Sequence, residues 1–417
     1  MNATAGPRAT LDQKVLSRAE AVSDGAPLLV GLSGGGDSTA LLLALAQRYP
    51  GRVHALVVDH ALRVGSAEEA AAAAEAAKRI AVPCDVRRLS WPTTEKSQSA
   101  ASKPGHAALR RARHAALYDH ARALGACCIA LGHTADDQAE TILMRAARGS
   151  DWQGLAGMRA FAPAPIWPEG RGLWIMRPFL HVSRESLREA LRARGTRWIE
   201  DPSNQDARFA RPRARAALAN APRQISARLA SLADKFGARA EALDLAAGRL
   251  IAAHVAFEAG DIHVLAPALR GVAGARALAV LVAAAGASEA AISLREAATL
   301  RTRMARESAV SLAGATVRAT ERGLRLTRDI GAVRGRADGA RPLPTLSLER
   351  GEEAIWDNRL ALTPSASGWV VEPGARAGPV LTRNGAPYRE RTGVEPEVRQ
   401  NWLLKERAAH LLGGAGL

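Results

Sequence analysis

Leu28-Leu29-Val30-Gly31-Leu32-Ser33-Gly34-Gly35-Gly36-Asp37-Ser38 is the stretch on which the reading of the fold turns. Leu28 to Leu32 is a short apolar run that reads as a buried strand, and Ser38 to Gln47 reads as a helix. Between them, consecutive small residues let backbone N–H groups close around phosphate oxygens, and the helix that follows adds its positive N-terminal end. The loop lacks the Lys-Ser/Thr ending of a Walker A loop. Ser33, Gly34, Gly35, Gly36, Asp37 and Ser38 are therefore candidate nucleotide-binding residues, with the two serine hydroxyls able to bond phosphate. Asp37 would repel phosphate unless Mg²⁺ sat between them, so it is also a candidate metal partner. The same residues would equally make a strand-to-helix turn with serine and aspartate caps.

Outward from the loop, short apolar runs alternate with longer helical patterns between about residues 25 and 200. Val53 to Val58, Val82 to Leu89 and Cys127 to Leu131 read as further buried strands. Ala67 to Arg79, His106 to Leu124 and Asp136 to Ala147 read as helices. Such alternation implies an α/β fold, a parallel sheet with helices on both faces. Ligands in such sheets bind beyond the strand C-terminal ends, which places Ser33, Asp59 and His133 along one edge. After Asp201-Pro202-Ser203-Asn204 the pattern changes to an Arg-dense stretch, a long Ala/Leu helical run from about Ile225 to Val255, and mixed segments to 330. Gly331 to Pro344 reads as a linker. The expected division is a catalytic domain over 1–215, a mostly helical middle domain over 216–330 and a small β-rich C-terminal domain over 345–417.

A second group of residues bears on chemistry: Gly132-His133-Thr134-Ala135-Asp136-Asp137-Gln138-Ala139-Glu140-Thr141. On a helix, Asp136 and Glu140 share a face, and Asp137 lies beside them. With no basic partner in the segment, the three carboxylates repel one another, and they make sense if they hold a cation, either Mg²⁺ or a substrate ammonium. An acidic first turn that complements the helix dipole is the plainer reading.

Composition narrows the class. No apolar run is long enough to span a membrane, and no signal peptide precedes the first strand, so the chain reads as cytoplasmic. Three cysteines, Cys84, Cys127 and Cys128, supply neither a disulfide framework nor a Cys-x-x-Cys pair. The formal net charge is +16, and only six of the 57 basic residues are lysines. That surplus suits a polyanion, and arginine can fork onto phosphate; scattered solvated charges from an Arg-rich composition fit equally well. Arg208, Arg211, Arg213, Arg215, Arg223 and Arg228 are the candidate RNA-phosphate contacts. Trp152 and Trp198 read as core.

Taken in order, Ser33 to Ser38, Val58-Asp59-His60-Ala61-Leu62-Arg63, Gly132 to Thr141, Arg148-Gly149-Ser150 to Met158, Arg177-Pro178-Phe179-Leu180 with Arg184-Glu185, and Asp201 to Asn204 resemble the tRNA(Ile)-lysidine synthases. These are PP-loop ATP-pyrophosphatases with an adenine nucleotide α-hydrolase-like fold, and the likeness covers about residues 28 to 215. It implies ATP-dependent adenylation of the wobble cytidine of an isoleucine tRNA with a CAU anticodon, then displacement of AMP by L-lysine to give lysidine. It implies ATP-phosphate contacts from the loop, with Asp59 and His133 in the nucleotide site. Asp136, Asp137 and Glu140 would serve lysine and metal, with Asp37 and Asp136 as Mg²⁺ ligands. Arg110 and Arg113 would stand near the reacting phosphate or cytidine. His106 and His114 depart from the usual acidic and aromatic residues, and Pro212 from a usual polar one. Other PP-loop enzymes that modify tRNA or form amides, and a non-catalytic RNA-binding protein, are the alternatives; the thiolating type would need cysteines this chain lacks. Monomer and homodimer are both open.

Overall fold

The computed structural model describes residues 10–91, 105–200, 210–222, 224–335, 341–374, 378–387 and 396–414, without the side chain of His106. The chain divides into two compact units, 1–240 and 241–417. Residues 216–240 fall with the first unit, and 241–330 and 345–417 with the second.

The first unit runs α1 (Gln13–Ser23), β1 (Leu28–Leu32), α2 (Gly36–Arg48), β2 (Val53–Asp59), α3 (Ser66–Arg79), β3 (Cys84–Arg88), α4 (His106–Ala123), β4 (Cys128–Ala130), α5 (Ala135–Ala146), β5 (Phe161–Pro163), β6 (Trp174–Met176), α6 (Arg184–Ala193) and α7 (Ala210–Ala219). It ends within α8 (Gln224–His254). Its sheet has the order β3-β2-β1-β4-β6-β5, parallel except for the antiparallel β5 edge. Every residue of β1 is buried, as a strand covered on both faces must be. Leu28, Val30 and Leu32 join the core under α1, α2, α3 and α6, whereas Leu29 points to the opposite core with Leu117, Tyr118 and Ala121 of α4. The chain leaves β1 for β2 on one side, and β4 lies on its other side. The reversal opens a crevice beyond the C-terminal ends of β1 and β4.

One strand differs from the sequence reading. β3 is an edge strand, not a buried one: Asp85, Val86, Arg87 and Arg88 are exposed, and charge there deters pairing with another chain.

The second unit holds a five-stranded sheet of order β7-β8-β11-β10-β9: β7 (Val255–Glu258), β8 (Asp261–Leu265), β9 (Ala309–Leu312), β10 (Ala315–Thr320) and β11 (Gly323–Arg328). One face packs against α9 (Gly271–Ala285), almost wholly apolar and buried; α10 (Leu294–Met304) follows it. Beyond α11 (Ile330–Arg334), strands β12 (Leu346–Leu348), β13 (Ala354–Trp356), β14 (Leu360–Pro364), β15 (Trp369–Pro373), β16 (Pro379–Arg383), β17 (Ala386–Pro387) and β18 (Val398–Trp402) form two small sheets. A final α12 (Leu404–Leu411) packs its Leu404 and Ala408 into the core of the five-stranded sheet. The expected linker is partly structured, because Val333 is buried among Leu348, Trp356 and Trp369. No described helix is long and apolar enough to cross a membrane.

Candidate active site

The glycine loop lies where β1 ends. Gly34 has φ +78°, and a Cβ there would meet Ile199 at 2.8 Å; the Ile199 N–H donates to the Gly34 carbonyl at 2.9 Å. Trp198 lies 3.5 Å from where a Cβ of Gly36 would stand, so Trp198 and Ile199 pin the loop from outside. Neither position was singled out for this role in the sequence, because no local pattern ties them to the loop. The Ser33 N–H donates to Ser38 Oγ at 3.2 Å, the two hydroxyls lie 3.0 Å apart, and Ser38 Oγ–H donates to the Gly35 carbonyl at 3.0 Å. The serines therefore hold the loop's shape. Gly35 offers no side chain to cap α2, and the first N–H groups of that helix are the ones suited to an anion. The end of β4 presses on the loop: a Cβ on Gly132 would come within 2.9 Å of the Asp37 carbonyl and the Ser38 nitrogen.

Beyond β4, Thr134 caps α5 in a capping box with Asp137: Thr134 N–H and Oγ1–H donate to Asp137 Oδ2 at 2.8 and 3.0 Å. Asp137 Oδ1 accepts from Arg184 at 2.8 Å and from Arg211 at 2.9 Å. Glu140, 1% exposed, accepts from Arg211 Nε and Arg215 Nε, both at 2.8 Å. Arg184 also donates through Nε to Asp37 Oδ2 at 3.1 Å, and its backbone N–H donates to Asp136 Oδ2 at 2.7 Å. Sequence reading left the carboxylates without a basic partner. The structure supplies three guanidiniums, from α6 and α7, and local pattern cannot reveal partners so far along the chain. Arg211 and Arg215, expected on RNA, sit on these carboxylates instead, while Arg208, Arg223 and Asp201 to Asn204 lie outside the described residues. Burial raises the Asp37 pKa even against Arg184. For Asp137, burial acts upward, but Arg184 and Arg211 outweigh it and hold the carboxyl low.

The other side of the crevice is cationic. Arg177, buried just after β6, donates through Nε to His133 Nδ1 at 3.2 Å and through Nη1 to the Arg159 carbonyl at 2.7 Å. Burial and then Arg177 push the His133 pKa down to about 3. Burial and then Arg110 lower the pKa of Arg113, and those of His60 and His114 also fall through burial and neighbouring arginines. Among the described residues, Arg110, Arg113 and Arg177 have no carboxylate partner. For buried Arg177 and half-buried Arg113 a missing counter-charge is costly, whereas Arg110 is exposed; an anion entering the crevice would remove that cost. Asp59 is occupied locally: Oδ1 accepts from the Ala61 N–H at 2.8 Å, and Oδ2 lies 3.8 Å from Arg88. Burial also pushes the Cys84 thiol up to about 11 and raises Cys128, so neither is an activated thiolate.

Residues 8–221 match the family model of the PP-loop domain. The chain belongs to the PP-loop family. It is 42% identical over 243 residues to the tRNA(Ile)-lysidine synthase of Hyphomonas neptunium, covering 57% of this chain and 63% of that one. It is 44% identical over 218 residues to the tRNA(Ile)-lysidine synthase of Caulobacter vibrioides, covering 52% and 50%. The chain therefore spans between half and two thirds of the length of these relatives. Among solved structures it is similar to the U34-tRNA thiolase NcsA from Methanococcus maripaludis, with 14% identity, a TM-score of 0.44, and coverage of 54% and 78%.

Proposed function

We propose that this PP-loop protein ligates L-lysine to the 2-position of the wobble cytidine of an isoleucine tRNA with a CAU anticodon, consuming ATP and releasing AMP and pyrophosphate. The observation that carries this reading is Arg184, which bonds Asp37 of the glycine loop, Asp137 of α5 and, through its backbone, Asp136. That link supports taking loop and carboxylates as one site, and both lie within residues 8–221, which match the PP-loop domain.

ATP phosphates would rest on the N–H groups of Gly34 to Ser38, facing Arg110 and Arg113. Attack of the cytidine 2-carbonyl oxygen on the α-phosphorus develops charge on phosphate oxygens, and preplaced guanidiniums stabilise it without reorganising. Pyrophosphate leaves, and the lysine amine then displaces AMP. Free lysine has an amine pKa of roughly 10, so a carboxylate must both hold the ammonium and accept a proton. Asp136 suits this task, because its Oδ1 has no partner among the described residues. It also opens on a cleft of about 550 Å³ lined in part by Ser183, Ser231 and Asp234.

The donor set fits Mg²⁺. Asp37 keeps Oδ1 beside the Oδ2 that Arg184 holds, and Mg²⁺ typically takes one or two carboxylates with phosphates and water. Among the described residues no cluster of three or more His, Cys, Asp or Glu is placed to hold a metal, so phosphate oxygens and water would complete the shell. Bound there, the ion would neutralise phosphate charge.

The test is direct. Purified protein, ATP with Mg²⁺, labelled lysine and the tRNA transcript are mixed, and label is sought in RNA. Incorporation at the wobble cytidine is expected. Folded protein that leaves the RNA unlabelled refutes the reading.

A further inference from the structure

A neutral imidazole carries one N–H, and the partner of one ring nitrogen decides where that proton sits. His133 stands at the end of β4, just before the α5 cap. Arg177 reaches it from the end of β6, with Nε 3.2 Å from Nδ1. A guanidinium can only donate, so Nδ1 must be the acceptor and the imidazole proton must be on Nε2. Arg177 is itself held, since its Nη1 donates to the Arg159 carbonyl at 2.7 Å. Among the described residues nothing accepts from Nε2, and His133 is only half-buried. The groups facing the ring electrostatically are Arg177, Asp137, Arg211 and Arg113, three cations against one carboxylate.

We infer that Arg177 is a positioning residue that fixes His133 as the neutral Nε2–H tautomer, so that His133 donates a hydrogen bond to an anionic oxygen and serves neither as general base nor as cation. The second half of this inference rests on the proposed adenylation reaction; the first half does not. With Nδ1 committed to Arg177, His133 has no lone pair for a substrate proton. It instead offers one N–H beside the glycine loop, where a phosphate oxygen gains charge. The cationic surroundings keep it neutral through the working pH range.

The test uses nitrogen NMR on the full chain labelled at histidine, with Arg177→Met and Arg177→Gln beside the parent. The parent is expected to show His133 as a single Nε2–H tautomer whose shifts do not move between pH 5 and 8. Its Nε2 signal should move on adding ATP. Arg177→Met should mix the tautomers and restore titration, with a fall of tenfold or more in kcat and little change in KM for ATP. Arg177→Gln keeps a donor and should recover the single tautomer and most of kcat. An Nδ1–H or protonated His133 in the parent overturns the inference, even if Arg177→Met does not fold. A pure tautomer with an ATP response in a protein that modifies no tRNA sinks the proposed reaction and leaves the positioning role standing.

Discussion

At 1% exposure, Glu140 accepts from the Nε atoms of both Arg211 and Arg215. Removing it strands Arg215 on the face of α5 and leaves Arg211 with Asp137 alone. Breaking a buried ion pair costs about 3–5 kcal/mol, and because the arginines are 41% and 38% exposed, the lower end applies. Glu140→Ala should thus destabilise the first unit by about 3 kcal/mol in urea unfolding; a loss below about 1 kcal/mol would show that these pairs contribute little. His114 makes a separate, pH-dependent prediction. Its ring is buried against Tyr118 with Nδ1 unpartnered among the described residues, and its pKa is pushed down to about 3 by burial and then Arg110. A histidine protonates near 6.5 when unfolded, so the unfolded state takes up the proton first as pH falls. The stability is full above pH 6.5 and is lost progressively down to about 3. Between pH 7.5 and 5 the loss is about 2 kcal/mol. His114→Phe should remove that part of the slope, and an unchanged slope would place the acid sensitivity elsewhere.

Among the elements, the junction of β4 with the β1–α2 loop is the tightest. Gly132→Ala would press a methyl into the Asp37 carbonyl at 2.9 Å, a contact that only backbone movement relieves. ATP affinity should fall tenfold or more by calorimetry while circular dichroism stays that of the parent; unchanged affinity would show that the loop's position is not critical. β1, β2, β4 and the loop were legible because a strand buried on both faces is a continuous apolar run that needs no knowledge of its partners. β3 was legible as a strand but not as an edge, since exposure depends on which strand lies beyond it. β5 and β6, three residues each, are too short to show a period. The carboxylates of α5 could be read from spacing, but their cations could not: Arg184 and Arg215 lie 47 and 75 residues beyond the groups they pair with. Arg177 was visible within a motif, yet its hold on His133 exists only once β4 and β6 are adjacent.

For the molecule as a whole, the +16 charge is not spread evenly in its use. Arg184, Arg211 and Arg215 balance carboxylates inside the site, so under the proposed reaction capture of tRNA would fall to other cations, exposed Arg228 among them. Arg215→Ala should therefore lower the chemical step more than it flattens the salt dependence of tRNA binding. Binding by the parent should weaken roughly tenfold or more between 50 and 200 mM salt, measured by filter retention, and a flat response would argue against a phosphate-led interface. Under the proposed reaction the site adenylates a tRNA base before lysine reacts. Exchange of labelled pyrophosphate into ATP reads that step alone. It should require the CAU-anticodon tRNA and proceed without lysine; exchange that needs lysine and proceeds without tRNA would mean that the amino acid, not the base, is activated.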